Sequence, residues 1–130
     1  MSPRRPPKPG APVRGSASGR PVMALLDLLG RRWALRVIWE LRDAPLTFRV
    51  LQERCAGMSS SVLSQRLQEL REAGVVVPAD DGYELTGEGR ELLALLEPLH
   101  GWAERWAGRG KGSGRSAAAR SRAAGSRARR

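Results

Sequence analysis

The sequence predicts a mainly α-helical domain with one small antiparallel β-hairpin, set between two disordered basic arms. Three features of its 130 residues lead there. Apolar side chains recur at helical spacing through successive stretches between residues 22 and 106. Two short β-prone runs, Val75-Val76-Val77 and Tyr83-Glu84-Leu85, flank the turn-forming Ala79-Asp80-Asp81-Gly82. Both ends are rich in positive charge, hold no acid, and carry too little apolar content to bury a core.

Residues 1–20 contain Pro3, Pro6, Pro7, Pro9 and Pro12 with Gly and Ser, and are expected to be a solvated, partly extended arm. Residues 22–29 form a short apolar stretch closed by Gly30, a helix with a glycine stop. Over residues 32–41, Ala34, Val37, Ile38 and Leu41 share one helical face while Leu35 and Trp39 share another. A helix apolar on two faces is central in its fold or covers a partner. Asp43-Ala44-Pro45 ends it. Thr47 then caps a third helix over 48–55, with Phe48, Leu51 and Cys55 inward.

After the turn Ala56-Gly57-Met58, Ser59 or Ser60 caps a fourth helix that runs to Ala73 and stops at Gly74. Its inward stripe is Leu63, Leu67 and Leu70; its opposite stripe is Ser61, Ser64, Gln65 and Gln68. Glu69, Arg71 and Glu72 read as ordinary charged surface further along. The hairpin follows, and Thr86 opens a last helix with Leu92, Leu95, Leu96, Leu99, Trp102 and Trp106 on one broad face. Pro98 lies inside that pattern and is expected to kink or split the helix, because it removes a backbone donor and crowds the preceding turn. Residues 108–130, rich in Gly, Ala, Ser and Arg, read as a disordered basic tail, which leaves residues 21–107 as the folded domain.

The charge partition bounds the partners. Residues 1–20 hold Arg4, Arg5, Lys8, Arg14 and Arg20; residues 108–130 hold Arg109, Lys111, Arg115, Arg120, Arg122, Arg127, Arg129 and Arg130. Of the 23 basic and 13 acidic side chains, residues 21–107 therefore keep 10 basic against all 13 acidic ones. Cationic arms on a mildly acidic core match a polyanion, of which nucleic acid is the commonest. Phosphate binding is the reading preferred for the arms, ahead of RNA or protein binding and of a solubilising tail in an Arg-rich proteome. No apolar run approaches the roughly 18 residues of a membrane helix, and no apolar segment follows the basic N-terminus as in a secretory signal. One cysteine forms neither an internal disulfide nor a thiolate zinc site, which suits the cytoplasm.

The order helix, helix, helix, turn, helix, hairpin, helix is that of a winged helix-turn-helix. The fourth helix, held by its leucines, leaves its other face free to enter a DNA major groove. Ser61, Ser64, Gln65 and Gln68 suit that role: Gln bonds adenine bidentately and Ser bonds several base edges. The chain also resembles HxlR-type winged-helix transcriptional regulators, related in fold to the MarR regulators. The resemblance is carried by Leu26-Asp27-Leu28-Leu29-Gly30-Arg31-Arg32-Trp33, Val37-Ile38-Trp39-Glu40-Leu41, Gly57-Met58-Ser59, Val62-Leu63-Ser64-Gln65-Arg66-Leu67, Leu70-Arg71-Glu72-Ala73-Gly74-Val75-Val76, Tyr83-Glu84-Leu85-Thr86 and Trp102-Ala103-Glu104-Arg105-Trp106. It implies a homodimer that binds operator DNA, with Ser60, Ser61, Ser64 and Gln65 facing the bases and Arg66 at the DNA backbone or in an internal ion pair. Three positions depart from the family pattern. Arg20-Pro21-Val22 stands where many members have Cys-Pro-Val, so thiol sensing is lost there. The hairpin tip is short and acidic. Pro98 interrupts the pairing helix.

Among single residues, Cys55 reads as a buried packing residue and His100 has no companion ligands at metal spacing. The four tryptophans read as core or subunit interface. No nucleophile set, carboxylate pair or phosphate loop marks an enzyme, and no cofactor is implied. The expected function is sequence-specific binding of double-stranded DNA by a homodimeric regulator, a repressor rather than an activator, in the cytoplasm at the nucleoid, its effector unknown. Leu25, Trp39, Leu92, Leu96, Leu99, Trp102 and Trp106 are the expected dimer surface. The rival readings are a sequence-tolerant architectural DNA binder and a winged-helix protein-interaction module.

Overall fold

The computed structural model describes residues 6–115, with side chains as far as residue 110. The chain forms α1 (Pro21–Leu29), α2 (Ala34–Glu40), α3 (Phe48–Arg54), α4 (Ser60–Glu72), β1 (Val76–Ala79), β2 (Gly82–Leu85) and α5 (Gly87–Arg115). This is the helical, single-hairpin class the sequence predicts. The backbone separates into two compact units, one ending at Leu93 and the other beginning at Ala94 within α5.

In the first unit the helix ends follow the local chemistry. Pro21 occupies the first turn of α1, where its missing N–H costs nothing. Thr47 and Ser59 cap α3 and α4, accepting from the N–H groups of Val50 and Val62 at 3.1 and 3.2 Å. Past α4, Gly74 takes φ +80°, the left-handed conformation that ends helices and strains any other residue. One boundary differs from the apolar periodicity. Trp33, not Arg32, adjoins α2, and it sits at φ 77°, so α2 starts at Ala34.

Ala34, Val37, Ile38 and Leu41 of the α2 region, Leu51 and Cys55 of the α3 region, and Leu63, Leu67 and Leu70 of α4 form the core, each no more than 2% exposed. Burying a side chain of Val or Leu size contributes about 1.5–3 kcal/mol. These faces therefore fix which side of α4 turns inward.

The hairpin pairs Val76 with Leu85 and Ala79 with Gly82, leaving Asp80-Asp81 as a two-residue turn. Tyr83 exchanges both backbone hydrogen bonds with Leu46, at 3.0 and 2.9 Å, so a single antiparallel bridge ties the α2–α3 connection to the hairpin. A Cβ at position 82 would run into the Leu46 carbonyl, so only glycine permits this approach. The Thr86 hydroxyl donates to the Gly74 carbonyl at 2.6 Å and accepts from the Gly89 N–H at 2.9 Å, capping α5 and tying it to the end of α4.

Residues 6–20 close into turns rather than running extended. Val13 and Ser16 exchange backbone bonds at 2.9 and 3.0 Å, and the Gly10 N–H reaches the Gly19 carbonyl at 2.9 Å. Two side chains give the cause. Ser16 Oγ accepts from the Arg20 N–H at 3.0 Å, and Asp27 of α1 accepts from the Arg14 N–H at 3.2 Å. The second is a tertiary anchor, which composition does not reveal.

In the second unit, α5 continues through Pro98 without being split. Ala94, whose carbonyl loses the donor that Pro98 lacks, is exposed, so water can take its place. The helix also passes residue 108, where composition places the start of the tail, and reaches Arg115. The rest of the tail, like residues 1–5 of the N-terminal arm, lies outside the described residues.

Candidate nucleic-acid interface

Helix α4 divides by residue type. Leu63, Leu67 and Leu70 are at most 2% exposed, whereas Ser60, Ser61, Ser64 and Gln68 are exposed and Gln65 is half-buried. The outward strip is uncharged over its first two turns. Ser61 Oγ lies 3.3 Å from Ser59 Oγ, beside the cap, and Gln68 Nε2 donates to Glu72 Oε2 at 3.3 Å. The Gln65 amide makes no side-chain hydrogen bond among the described residues, so both its donor and its acceptor remain for a ligand.

Arg66 is turned elsewhere. Its side chain is 14% exposed; Nη1 donates to Glu69 Oε1 at 3.0 Å and Nε to the Arg32 carbonyl at 2.7 Å. This is the internal ion pair that the family resemblance left open as one of two roles. Glu69, expected at the surface, is 3% exposed, which corrects that reading. It receives Arg31 Nη1 at 2.7 Å on its other oxygen, and Arg31 Nε lies 4.0 Å from Asp27. Four charges thus bind α1, the turn after it and the inner flank of α4. The sequence held a signal for each half, Asp27–Arg31 at i,i+4 and Arg66–Glu69 at i,i+3. Nothing local told that the two halves meet.

The residues expected at a subunit interface fall in both units. In the first, Leu25, Trp39 and Leu92 are half-buried, and the Arg42 guanidinium lies 4.2 Å from the centre of the Trp39 ring, covering one of its faces. In the second, Leu96 is half-buried, while Leu99, Trp102 and Trp106 are 57%, 47% and 60% exposed, with Leu95 at 71% beside them. Trp102 and Trp106 stack at 5.7 Å.

Cys55 is fully buried. Burial pushes its thiol above the ordinary range; the Arg36 charge opposes this and Glu40 adds to it. A neutral, inaccessible thiol is a packing group. Among the described residues no cluster of His, Cys, Asp and Glu is arranged to hold a metal ion, and no helix is long and apolar enough to cross a membrane.

An exposed, neutral, hydrogen-bonding helix face beside a hairpin is the arrangement of a winged helix-turn-helix DNA-binding protein. Comparison with known proteins agrees. The family model for HxlR-like helix-turn-helix proteins matches residues 28–111. The HTH-type transcriptional regulator YvaP of Bacillus subtilis (strain 168) is 31% identical over 88 residues, 62% of this chain and 82% of YvaP. The crystal structure of quinone-bound YodB from B. subtilis, 31% identical, matches with a TM-score of 0.62 over 65% of this chain and 96% of that one. A possible HxlR family transcriptional factor from Thermoplasma volcanium GSS1, 26% identical, matches with a TM-score of 0.60 over 66% of this chain and 84% of that one. The chain belongs to the HxlR-like helix-turn-helix family and is a transcriptional regulator with a helix-turn-helix DNA-binding domain.

Proposed function

We propose that the protein is a homodimeric repressor that reads a specific double-stranded DNA site in the cytoplasm through Ser60, Ser61, Ser64, Gln65 and Gln68 of α4. The observation that carries this is the uncharged outward strip of α4, on a helix whose leucines and inner-flank charges are spent inside the protein. A strip kept for solvent alone would more often carry Lys and Glu. The exposed Leu95, Leu99, Trp102 and Trp106 support dimerisation, since apolar area of this kind on a small domain is best buried against a second copy. Two copies would set two α4 helices in successive major grooves, roughly 34 Å apart.

Selection of duplexes from a random library, followed by competition with unselected DNA, tests this reading. A regulator prefers its site by about 10³-fold or more. Equal affinity for both duplexes would replace it with the architectural reading, which the cationic arms and the acidic tip Asp80-Asp81 favour.

A further inference from the structure

Between α4 and the hairpin lies a polar cavity of about 530 Å³, lined by Ser64, Leu67, Gln68, Arg71, Glu72 and Tyr83. Ser64, Gln68 and Arg71 fall at i, i+4 and i+7, one strip continuing along α4 from the proposed base-reading residues. Arg71 is exposed and makes no ion pair or side-chain hydrogen bond among the described residues. Four other arginines of the first unit are engaged in ion pairs: Arg31 and Arg66 on Glu69, Arg36 on Glu40, and Arg49 on Glu53. The one carboxylate of the cavity, Glu72, takes the Gln68 amide at 3.3 Å.

Across from Arg71, the Tyr83 backbone is clamped by Leu46 on both its N–H and its carbonyl. Tyr83 shares a strand face with buried Leu85, which directs its ring inward toward α4. Its hydroxyl makes no hydrogen bond among the described residues, although a half-buried phenol ordinarily finds a partner. Asp80, Asp81 and Glu84 open instead onto a different depression, shared with Pro45, Leu46 and Thr47. The hairpin therefore keeps its acids apart from the surface that faces α4.

We infer that this cavity binds a phosphate of the DNA backbone, held by the Arg71 guanidinium and the Tyr83 hydroxyl. The hairpin then meets DNA through its stem, and its acidic tip stays clear. This rests on the DNA-binding reading of α4. An ionised phosphodiester offers the acceptors that both donors lack, and guanidinium–phosphate pairs are among the stronger hydrogen-bonded interactions.

The test uses the full chain with two duplexes, one selected from a random library and one of unselected sequence, titrated at several salt concentrations. Arg71→Ala is expected to weaken binding to both duplexes by about tenfold and to lower the salt slope by about 0.9 per protomer. Arg71→Lys restores the slope. Tyr83→Phe keeps the ring and its packing; it is expected to weaken both duplexes about threefold with the slope unchanged, because a neutral hydroxyl releases no counterion. Unchanged affinity and slope in Arg71→Ala would overturn the inference, as would a loss confined to the selected duplex. If the unsubstituted protein binds neither duplex at low salt, the DNA-binding reading itself fails and takes this site with it, a distinct result.

Discussion

Arg31 and Glu69 meet at 2.7 Å with side chains 7% and 3% exposed, so a charge pair crosses from the end of α1 to the inner flank of α4 almost without water. Such a pair adds little net stability over an apolar replacement, yet removing one partner strands the other. Glu69→Gln leaves Arg31 and Arg66 facing a neutral amide. It is expected to cost about 3 kcal/mol in urea unfolding, and removing all four charges of the network together, Asp27→Asn, Arg31→Met, Arg66→Met and Glu69→Leu, is expected to recover most of the loss. A fall of similar size in the fourfold variant would mean that the charges themselves hold the fold.

Gln65 stands half-buried one turn before Glu69 on α4, opposite Leu63, with its amide unspent. Gln65→Ala is expected to cost about 1–3 kcal/mol on a selected site and almost nothing on unselected duplex. Equal losses on both, measured by competition binding, would contradict base reading by this residue.

The stripes of α4 are legible from sequence because one helix of thirteen residues carries its own pattern: leucines at i, i+4 and i+7 on one side, serines and glutamines on the other. The caps Thr47 and Ser59 are legible for the same local reason. Glu69 is not, since an acid beside Gln68 looks like surface until Arg31, 38 positions away in the chain, is brought against it. Residues 6–20 look extended by composition and are not, for the same cause: the Asp27 carboxylate that receives the Arg14 N–H lies 13 positions along the chain. Trp33 at φ 77° is a conformation that no local rule assigns to tryptophan. What periodicity cannot reach is in each case an interaction or a strain imposed by the assembled fold.

Residues 116–130 carry Arg120, Arg122, Arg127, Arg129 and Arg130 and no acid. Ending the chain after Arg115 keeps all of α5. The shortened protein is expected to show a flatter dependence of DNA affinity on salt, by about 0.9 for each phosphate it no longer neutralises, with its preference for a selected site intact. An unchanged slope in fluorescence-anisotropy titrations would make the segment a bystander.

Thr86 gives its one hydroxyl to two elements, donating to the Gly74 carbonyl and accepting from the Gly89 N–H. Thr86→Val keeps the shape and removes both bonds at the junction of α4, β2 and α5. A loss of about 1–2 kcal/mol is expected in thermal unfolding. Thr86→Ser should restore most of it. Equal stability in the Ser and Val variants would show that the methyl group's packing, not the hydroxyl, secures the junction.

Cys55 links burial to pH. Its thiol is raised first by desolvation, with Arg36 opposing and Glu40 adding. Folding therefore holds the proton to a higher pH than the unfolded chain does. Above the unfolded thiol's value, about 8.5, the native state binds more protons than the unfolded state, and stability falls as pH rises. Below that value both states carry the proton and the group contributes no slope. Subtracting the stability–pH curve of Cys55→Ala from that of the unsubstituted protein isolates this contribution. The difference is expected to be flat through neutral pH and to decline above about 8.5, and the native thiol should resist alkylation at pH 7 until the chain is unfolded. A difference that stays flat into the alkaline range, or rapid alkylation of the folded protein, would show that the thiol is open to solvent.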